Sequence, residues 1–568
     1  MGMCLDYTLA PRCCQVIAAL PWVWHGATSS PIMGNRRGGN VLKGPGPKDT
    51  SKGRLRSLSL SAGTLLLGVL MLEGGSGPRQ QASVAALPVS GTATRCMPTA
   101  FDERLWASMG HESWYAEHGY LSALPAASQE SSWRMPQLFL PVVAREPPPT
   151  PTTRPTFPPT LTPAATPSAT PWQPPNGVEA RALWLSRFDW TCLMPNCPGG
   201  QLPGPSTIRQ MVANIDSGGF NMILFQVRGT GDAFYTPGLE PWSARLTGGL
   251  TATLGLDPGW DPLAVMISEA HARGIQVHAY LNVYPIWLGT SPPPDHTTPP
   301  HFFWVWSRAA GSGWSYWRQW DKGHQPMLLN DNYLWASPGN DSLVEDDIVA
   351  VAADILRRYP VDGMHLDMLR YANADYSCDP ASEARWGAPC FTNGDYRAWQ
   401  RSQVTHLVSR IYSEGVLPLG RQALLSAAVW WYPQDLWGIG CSGGYDNYYQ
   451  DSQGWLSLGV IDAEMPMLYG CPAFADGASG DGKWTTVMQD WLSHRAGRFV
   501  FPGIHADLSF ASIVARIGAE RAYAASVGAV PGHAVYSYSV VNSHGYWGAF
   551  ASGPYQQRAA APMLSWHP

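Results

Sequence analysis

A chain of 568 residues, 45% of them hydrophobic, can build a large core; its length suits three average domains or one extended barrel. A net charge of −5 with only 14% charged residues excludes the basic footprint of a nucleic-acid binder. The anomaly is 27 Trp and 23 Tyr, a packing resource first, and in Gly/Pro-rich loops also a source of flat faces for a ligand.

Residues 1–50 have no sustained periodicity and read as disordered or as an over-long start. Lys52, Arg54 and Arg56 then precede an apolar run from Leu58 to Leu72, closed by Glu73. That run is short for a membrane span and right for a signal-peptide core, so 51–86 is expected to direct export, with small residues at Ala82–Ala86 for cleavage. A membrane tether through the same segment is the alternative. Residues 87–143 receive no assignment. Residues 144–175 form a Pro/Thr tract that cannot bury a core and acts as an extended spacer, which puts a domain boundary near 176.

Beyond the tract, apolar runs alternate with helical patterns. Strands are expected at 180–188, 221–228, 275–283, 361–367, 423–430, 460–468, 499–505 and 533–539. Helices are expected at 206–217, 261–273, 344–358, 395–414, 483–496 and 510–527; only the fifth and sixth strands lack a long helix between them. Eight strands with intervening helices predict an α/β fold, a (β/α)8 TIM barrel over 176–548 with a tail at 549–568. An open doubly wound sheet is disfavoured because no GxGxxG follows the first strand. The segment 285–343 is too long for a plain connection and carries Trp287, Trp304, Trp306, Trp314, Trp317, Trp320 and Trp335. It is expected to fold over the barrel mouth, at least half of its rings packing a small core and others, Trp314, Trp317 and Trp320 among them, serving as platforms for sugars.

Polar residues gather at strand ends. The fourth strand, Val361–Asp367, turns His365 and Asp367 to one face and Met364 and Leu366 to the other, and Arg370 follows at its exit. Gln226 with Arg228, His278 with Tyr280 and Asn282, and His505 with Asp507 repeat the pattern on the second, third and seventh strands. Barrel enzymes place their chemistry at such carboxyl ends. Six cysteines follow the spacer, with no CxxC and no zinc-finger spacing. Disulfides Cys192–Cys197, Cys378–Cys390 and Cys441–Cys471 are expected, and with them an oxidising compartment.

From Val178 to about Gly545 the sequence resembles the glycosyl-hydrolase-like-10 family of exported bacterial barrel proteins. The resemblance rests on "EARALWLSRFDW" (179–190), "FNMILFQVRGTGDAFYTPGLEPWSARLTG" (220–248) and "GWDPLAVMISEAHARGIQVHAYLNVY" (259–284). It continues through "SPGNDSLVEDDI" (337–348), "YPVDGMHLDMLRY" (359–371), "GVIDAEMPMLY" (459–469) and "HAVYSYS" (533–539). It implies a TIM barrel acting on glycans, peptide-free peptidoglycan strands in some relatives. By position, Arg228, Asp232, Glu240 and Trp242 match the family's second-strand exit and "EPWSA" segment, His278 and Asn282 its third strand, and His365 and Asp367 its fourth. Many members carry a second acid after the position of Asp367, where this chain has Met368. At Glu464 many carry an apolar residue.

Glycoside hydrolysis needs two carboxyl groups about the scissile bond. Asp367 is the expected acid; Asp232, Glu240, Asp507 and Glu464 are the candidates for the second group. Arg228, Gln226, His278, Asn282, His365, Arg370, Trp242, Tyr469 and His505 are the expected substrate contacts. Each has a plain structural alternative: Asp232 as a turn former, Glu464 as a buried acid, Arg228 as an internal ion-pair partner. No metal and no organic cofactor is called for, since the first strand, "ALWLSRF", lacks the HxH of metal-dependent barrels. The expectation is an exported glycoside hydrolase on a polysaccharide, peptidoglycan glycan first and an extracellular polysaccharide second. A non-catalytic glycan-binding barrel of the cell envelope is the alternative.

Overall fold

Runs such as Ala180–Leu185 and Leu424–Val429 are apolar on both faces, the signature of parallel strands buried between a packed interior and a helical layer. A computed structural model of the chain describes residues 177–566 except 193–196, 198, 199, 250, 310–315, 331, 393 and 394. The expected export segment, the 87–143 region, the Pro/Thr spacer and Trp314 lie outside the described residues. Among the described residues no helix is long and apolar enough to cross a membrane.

The strands in chain order are β1 (Ala180–Leu185), β2 (Met222–Arg228), β3 (Gln276–Asn282), β4 (Pro285–Leu288), β5 (Tyr333–Trp335) and β6 (Gly363–Asp367). Then come β7 (Leu424–Val429), β8 (Ala463–Pro466), β9 (Phe499–Val500), β10 (Gly503–His505) and β11 (Gly532–Tyr536). Hydrogen bonding runs β10-β11-β1-β2-β3-β6-β7-β8-β9, and the nine members pair in parallel. The two ends of that order, β9 and β10, are one run of chain: Phe501 donates its N–H to Glu464 O (2.9 Å), and Ala534 donates to Pro502 O (3.1 Å). Pro502 has no N–H for a ladder, so the strand changes partner there and the sheet closes as a barrel of eight strand positions. Helices at Pro205–Gly218, Pro262–His271, Asp346–Arg358, Tyr396–Arg410, Ala478–Ser493 and Phe510–Ser526 match the expected set. A short helix, Ser452–Leu458, joins the fifth and sixth barrel strands.

Register sorts the interior into layers. His278 lies level with Gly363; Gln226, Tyr280, His365 and Ser426 come next; Asn282 and Asp367 are outermost. Gly363 is required at the floor, where an added Cβ would sit 2.4 Å from His278 Nδ1 and 2.5 Å from the Leu424 carbonyl oxygen. The insert folds as the β4–β5 hairpin with a helix, Phe302–Ala309. Trp287, Trp306, Trp317 and Trp335 are buried there; Trp306 stacks on Phe302 at 5.2 Å, and Trp317 donates its indole N–H to Ser307 Oγ (3.0 Å). A sugar platform at Trp317 is thereby corrected: its ring is core. Trp304 and Trp320 are half-buried. The tail packs on the barrel as well. Ala560 bridges to Val178, and Trp566 packs on Phe499 at 4.9 Å while donating to Asp462 Oδ1 (2.7 Å), which seals the amino-terminal end of the barrel.

All three expected disulfides are present, with Cα separations of 5.1, 5.4 and 6.1 Å. Each ties loops that follow barrel strands β1, β6, β7 or β8, the loops that build the rim. Cys441–Cys471 closes 30 residues. Replacing both with Ser is expected to lower stability by about 3–4 kcal/mol through the freed unfolded chain, read as a lower denaturant midpoint with a steeper slope, because the unbridged chain exposes more surface on unfolding.

Candidate active site

At the outermost layer Asp367 ends β6, facing inward beside Asn282. Tyr280 donates its hydroxyl to Asp367 Oδ2 (2.6 Å), and the Met368 N–H donates to Oδ1 (2.6 Å). Met368 holds a positive φ of 52°, a strained setting for a side chain of its size, and that turn is what aims its amide back at the carboxyl. Burial raises the Asp367 pKa above the ordinary carboxylate range, against the Tyr280 hydroxyl, the Arg370 charge and the Arg187 charge, which favour ionisation. Arg370 is itself buried among rings, 4.9 Å over Trp430, 5.0 Å over Trp335 and 5.1 Å over Tyr448. It is a charge fixed by aromatic faces, not an arm reaching outward.

Two sets of polar atoms at this level have no hydrogen-bond partner among the described residues: both amide atoms of Asn282, and His505 Nε2. The Asp507 N–H donates to His505 Nδ1 (3.1 Å), and burial pushes the His505 pKa down to about 4, so near neutrality the ring is uncharged with its proton on Nε2. Tyr469 stacks on Tyr536 at 5.2 Å, and each contacts Trp184 edge-on, which walls the same side of the mouth. Buried, unsatisfied polar atoms beside an acid are costly in a plain core and mark a place where a ligand completes the bonding.

Several expected contacts have internal work. His365 accepts from the Trp184 indole at Nε2 (3.0 Å) and shares Nδ1 with Ser426 Oγ (2.9 Å); burial drives its pKa well down. His278 lies at the floor beside Gly363, its pKa pushed to about 4 by burial. Gln226 accepts from the Arg187 backbone (2.9 Å), and Trp242 packs in the core with its carbonyl held by the Gly255 N–H (2.9 Å). Arg228 and Glu240 form a fully buried bidentate pair, Nε to Oε1 and Oε2 at 2.9 Å each, while Arg228 also donates to the carbonyls of Asn282 and Val283. This pair clamps the end of β3 under Asn282, and Glu240 spends both oxygens on it.

The remaining acids separate by register. Glu464 lies level with Ala427, outside the barrel wall, whereas its neighbour Ala463 is level with inward Ser426. It is fully buried in the helix-facing layer, its pKa driven well up by burial and by Asp451, and it does not reach the mouth. Asp507 is exposed at the rim and paired with His544 (2.9 Å). Asp232 is buried at the exit of β2 and accepts from the Thr230 N–H (2.7 Å). A Cβ on Gly229 would lie 3.0 Å from Arg187 Nε and 3.1 Å from Asp232 Oδ1, so that guanidinium and carboxylate share one spot.

Arg187 is the residue the sequence reading missed. It follows β1 by two positions, the same strand-exit placement that singled out the other polar residues. It stacks over Phe188 at 4.2 Å, hydrogen-bonds the Tyr333 hydroxyl of the insert, and its charge acts on both Asp367 and Tyr280. Arg187 thus joins the insert, Asp232 and Asp367 in one electrostatic unit.

An eight-position parallel barrel whose carboxyl rim carries buried acids and an aromatic wall has the build of the sugar-processing barrels. The chain belongs to the Glycosyl hydrolase-like 10 family, whose model matches residues 179–489. It is similar to Glycosyl hydrolase YngK of Bacillus subtilis, 28% identical over 334 residues (56% of this chain, 58% of the relative). Glycosyl hydrolase DigH of Escherichia coli K12 is 28% identical over 307 residues (51% and 65%). The chain therefore spans about three-fifths of the length of these relatives. Among solved structures, the glycoside hydrolase domain of PgaB (BpsB) from Bordetella bronchiseptica aligns over 65% of this chain and 97% of that domain, at 13% identity and a TM-score of 0.42.

Proposed function

We propose that the protein is an exported glycoside hydrolase that cleaves glycosidic bonds in a polysaccharide, peptide-free peptidoglycan strands being the first candidate substrate. The observation that carries this reading is Asp367: a buried carboxyl whose pKa is raised by that burial, beside the unpartnered amide of Asn282 at the barrel mouth. Asp367 acts as general acid, giving its proton to the glycosidic oxygen as the C–O bond breaks. Asp232, set beside Arg187, acts as the second carboxyl, either attacking the sugar carbon or taking a proton from the attacking water. Asn282, His505 and Tyr469 hold sugar hydroxyls and ring faces. Family membership supports a carbohydrate substrate, and three disulfides on the rim fit an oxidising, extracytoplasmic setting. Incubating the protein with a glycan panel that includes amidase-treated peptidoglycan tests the reading: new reducing ends support it, and their absence across the panel overturns it.

A second reading, a non-catalytic glycan-binding barrel, draws on the Asp232 carboxylate being engaged in its own turn through Thr230.

The pH dependence follows from the same contacts. An acid works only while protonated, so the rate falls as pH rises through the raised Asp367 pKa. The Tyr280 hydroxyl bond favours the ionised form. Tyr280→Phe is therefore expected to move the alkaline limb of the kcat profile to higher pH; a limb that stays, or moves down, removes Asp367 as the titrating acid.

A further inference from the structure

The loop after β7 begins with three buried rings in succession, Trp430, Trp431 and Tyr432. Trp430 lies under Arg370, the cation whose charge acts on Asp367. Ring contacts then continue along the loop: Trp430 to Trp431 at 4.3 Å, Trp431 to Tyr432 at 6.5 Å, and Tyr432 to Trp437 at 6.2 Å. The column surfaces at the loop tip, where Leu436 is 69% exposed and Trp437 36%.

The tip is exposed without being slack. The Asp435 carboxylate accepts from the N–H groups of Trp437, Ile439 and Gly440 at 3.3, 2.8 and 2.6 Å. Tyr432 donates its hydroxyl to the Cys441 carbonyl (2.8 Å) and accepts from the Cys441 N–H (3.0 Å). Cys441 is in turn bridged to Cys471, two residues past Tyr469 of the mouth wall. Leaving a large apolar side chain in water forgoes about 1.5–3 kcal/mol of burial, and here the fold forgoes it on a segment already immobilised. A rigid, solvent-facing indole is preorganised to bind, since little conformational freedom is lost when a ligand covers it. Its charged neighbour, Asp435, is consumed by the turn, so the face on offer is uncharged and flat. That suits the C–H face of a sugar ring. A protein partner would need about 800 Å² on each side, far more than a two-residue tip presents.

We propose that Trp437, flanked by Leu436, is an outer sugar-binding ridge that carries a polysaccharide strand away from the Asp367 mouth. The ridge rests on the glycan reading above and extends it: the protein would favour long strands over short fragments, because only a long strand spans mouth and ridge together.

The test uses the full chain and peptide-free peptidoglycan strands separated by length, with retention on the immobilised protein as the readout. Trp437→Ala is expected to weaken retention of long strands about tenfold, as for loss of one well-seated aromatic contact, with short fragments held as by the parent protein. Trp437→Phe keeps most of the retention, and an unchanged thermal midpoint shows that the exposed ring was not holding the fold. Equal retention of long strands by Trp437→Ala and the parent overturns the ridge while leaving the hydrolase reading intact. Long strands retained through Trp437 but never cut would overturn the hydrolase reading and leave the ridge standing. A parent protein that retains no long strand overturns the ridge outright.

Discussion

Asp367→Asn is expected to lower turnover by about a hundredfold to ten-thousandfold, the usual contribution of a positioned acid, while leaving glycan affinity within a few-fold of the parent. The amide has nearly the shape of the carboxyl, and its oxygen can still accept from the Met368 N–H or the Tyr280 hydroxyl. What it lacks is a proton to give at the glycosidic oxygen. Because Asn282, His505 and the Tyr469–Tyr536 wall stay in place, binding and chemistry separate in this one substitution. Product release is followed by reducing-end assay and affinity by retention. A variant as fast as the parent would end the role of Asp367, and a parent protein that binds but never cuts would favour the binding-barrel reading.

The second large effect concerns stability. Glu240→Gln leaves the Arg228 guanidinium buried with its charge unanswered, and is expected to destabilise the barrel by about 3–5 kcal/mol. Replacing both partners together, Arg228→Met with Glu240→Leu, is expected to recover much of that loss, because an apolar pair carries no desolvation cost. Chemical denaturation of the three variants measures the difference. Since Arg228 also holds the carbonyls of Asn282 and Val283, the double variant should fold well and still bind glycan less tightly. If Glu240→Gln unfolds at the parent's midpoint, the pair is not the clamp described here.

Much of this architecture was legible in the residues. The doubly apolar strands, the amphipathic helices and the overlong 285–343 connection announced a barrel with an insert, because each follows from local periodicity alone. The three cysteine pairs were legible on other grounds, an even count with two pairs close in sequence, and all three bridges form. Asp367 was marked by an apolar strand turning polar at its exit, a pattern that Gln226, Arg228 and His278 share while serving the fold. Trp317 shows the limit. Aromatic content in a Gly-rich segment does not say which rings meet each other, and here Trp317 is packed against Phe303 and Trp306.

The sequence by itself determined the strand and helix order, the closed barrel and the gathering of polar residues at strand ends. Only the tertiary structure decided which of them meet there. Glu464 and Asp367 look alike as acids at strand ends, yet a one-residue change of parity puts the former behind the wall and the latter inside it. Glu240 and Arg228 were candidates until they closed on each other, and Arg187 drew no notice until the fold set it between Asp232 and Asp367. The reason is physical: periodicity along the chain fixes which face a side chain takes within its own strand, but charge pairing and burial depend on neighbours brought in from other strands by register.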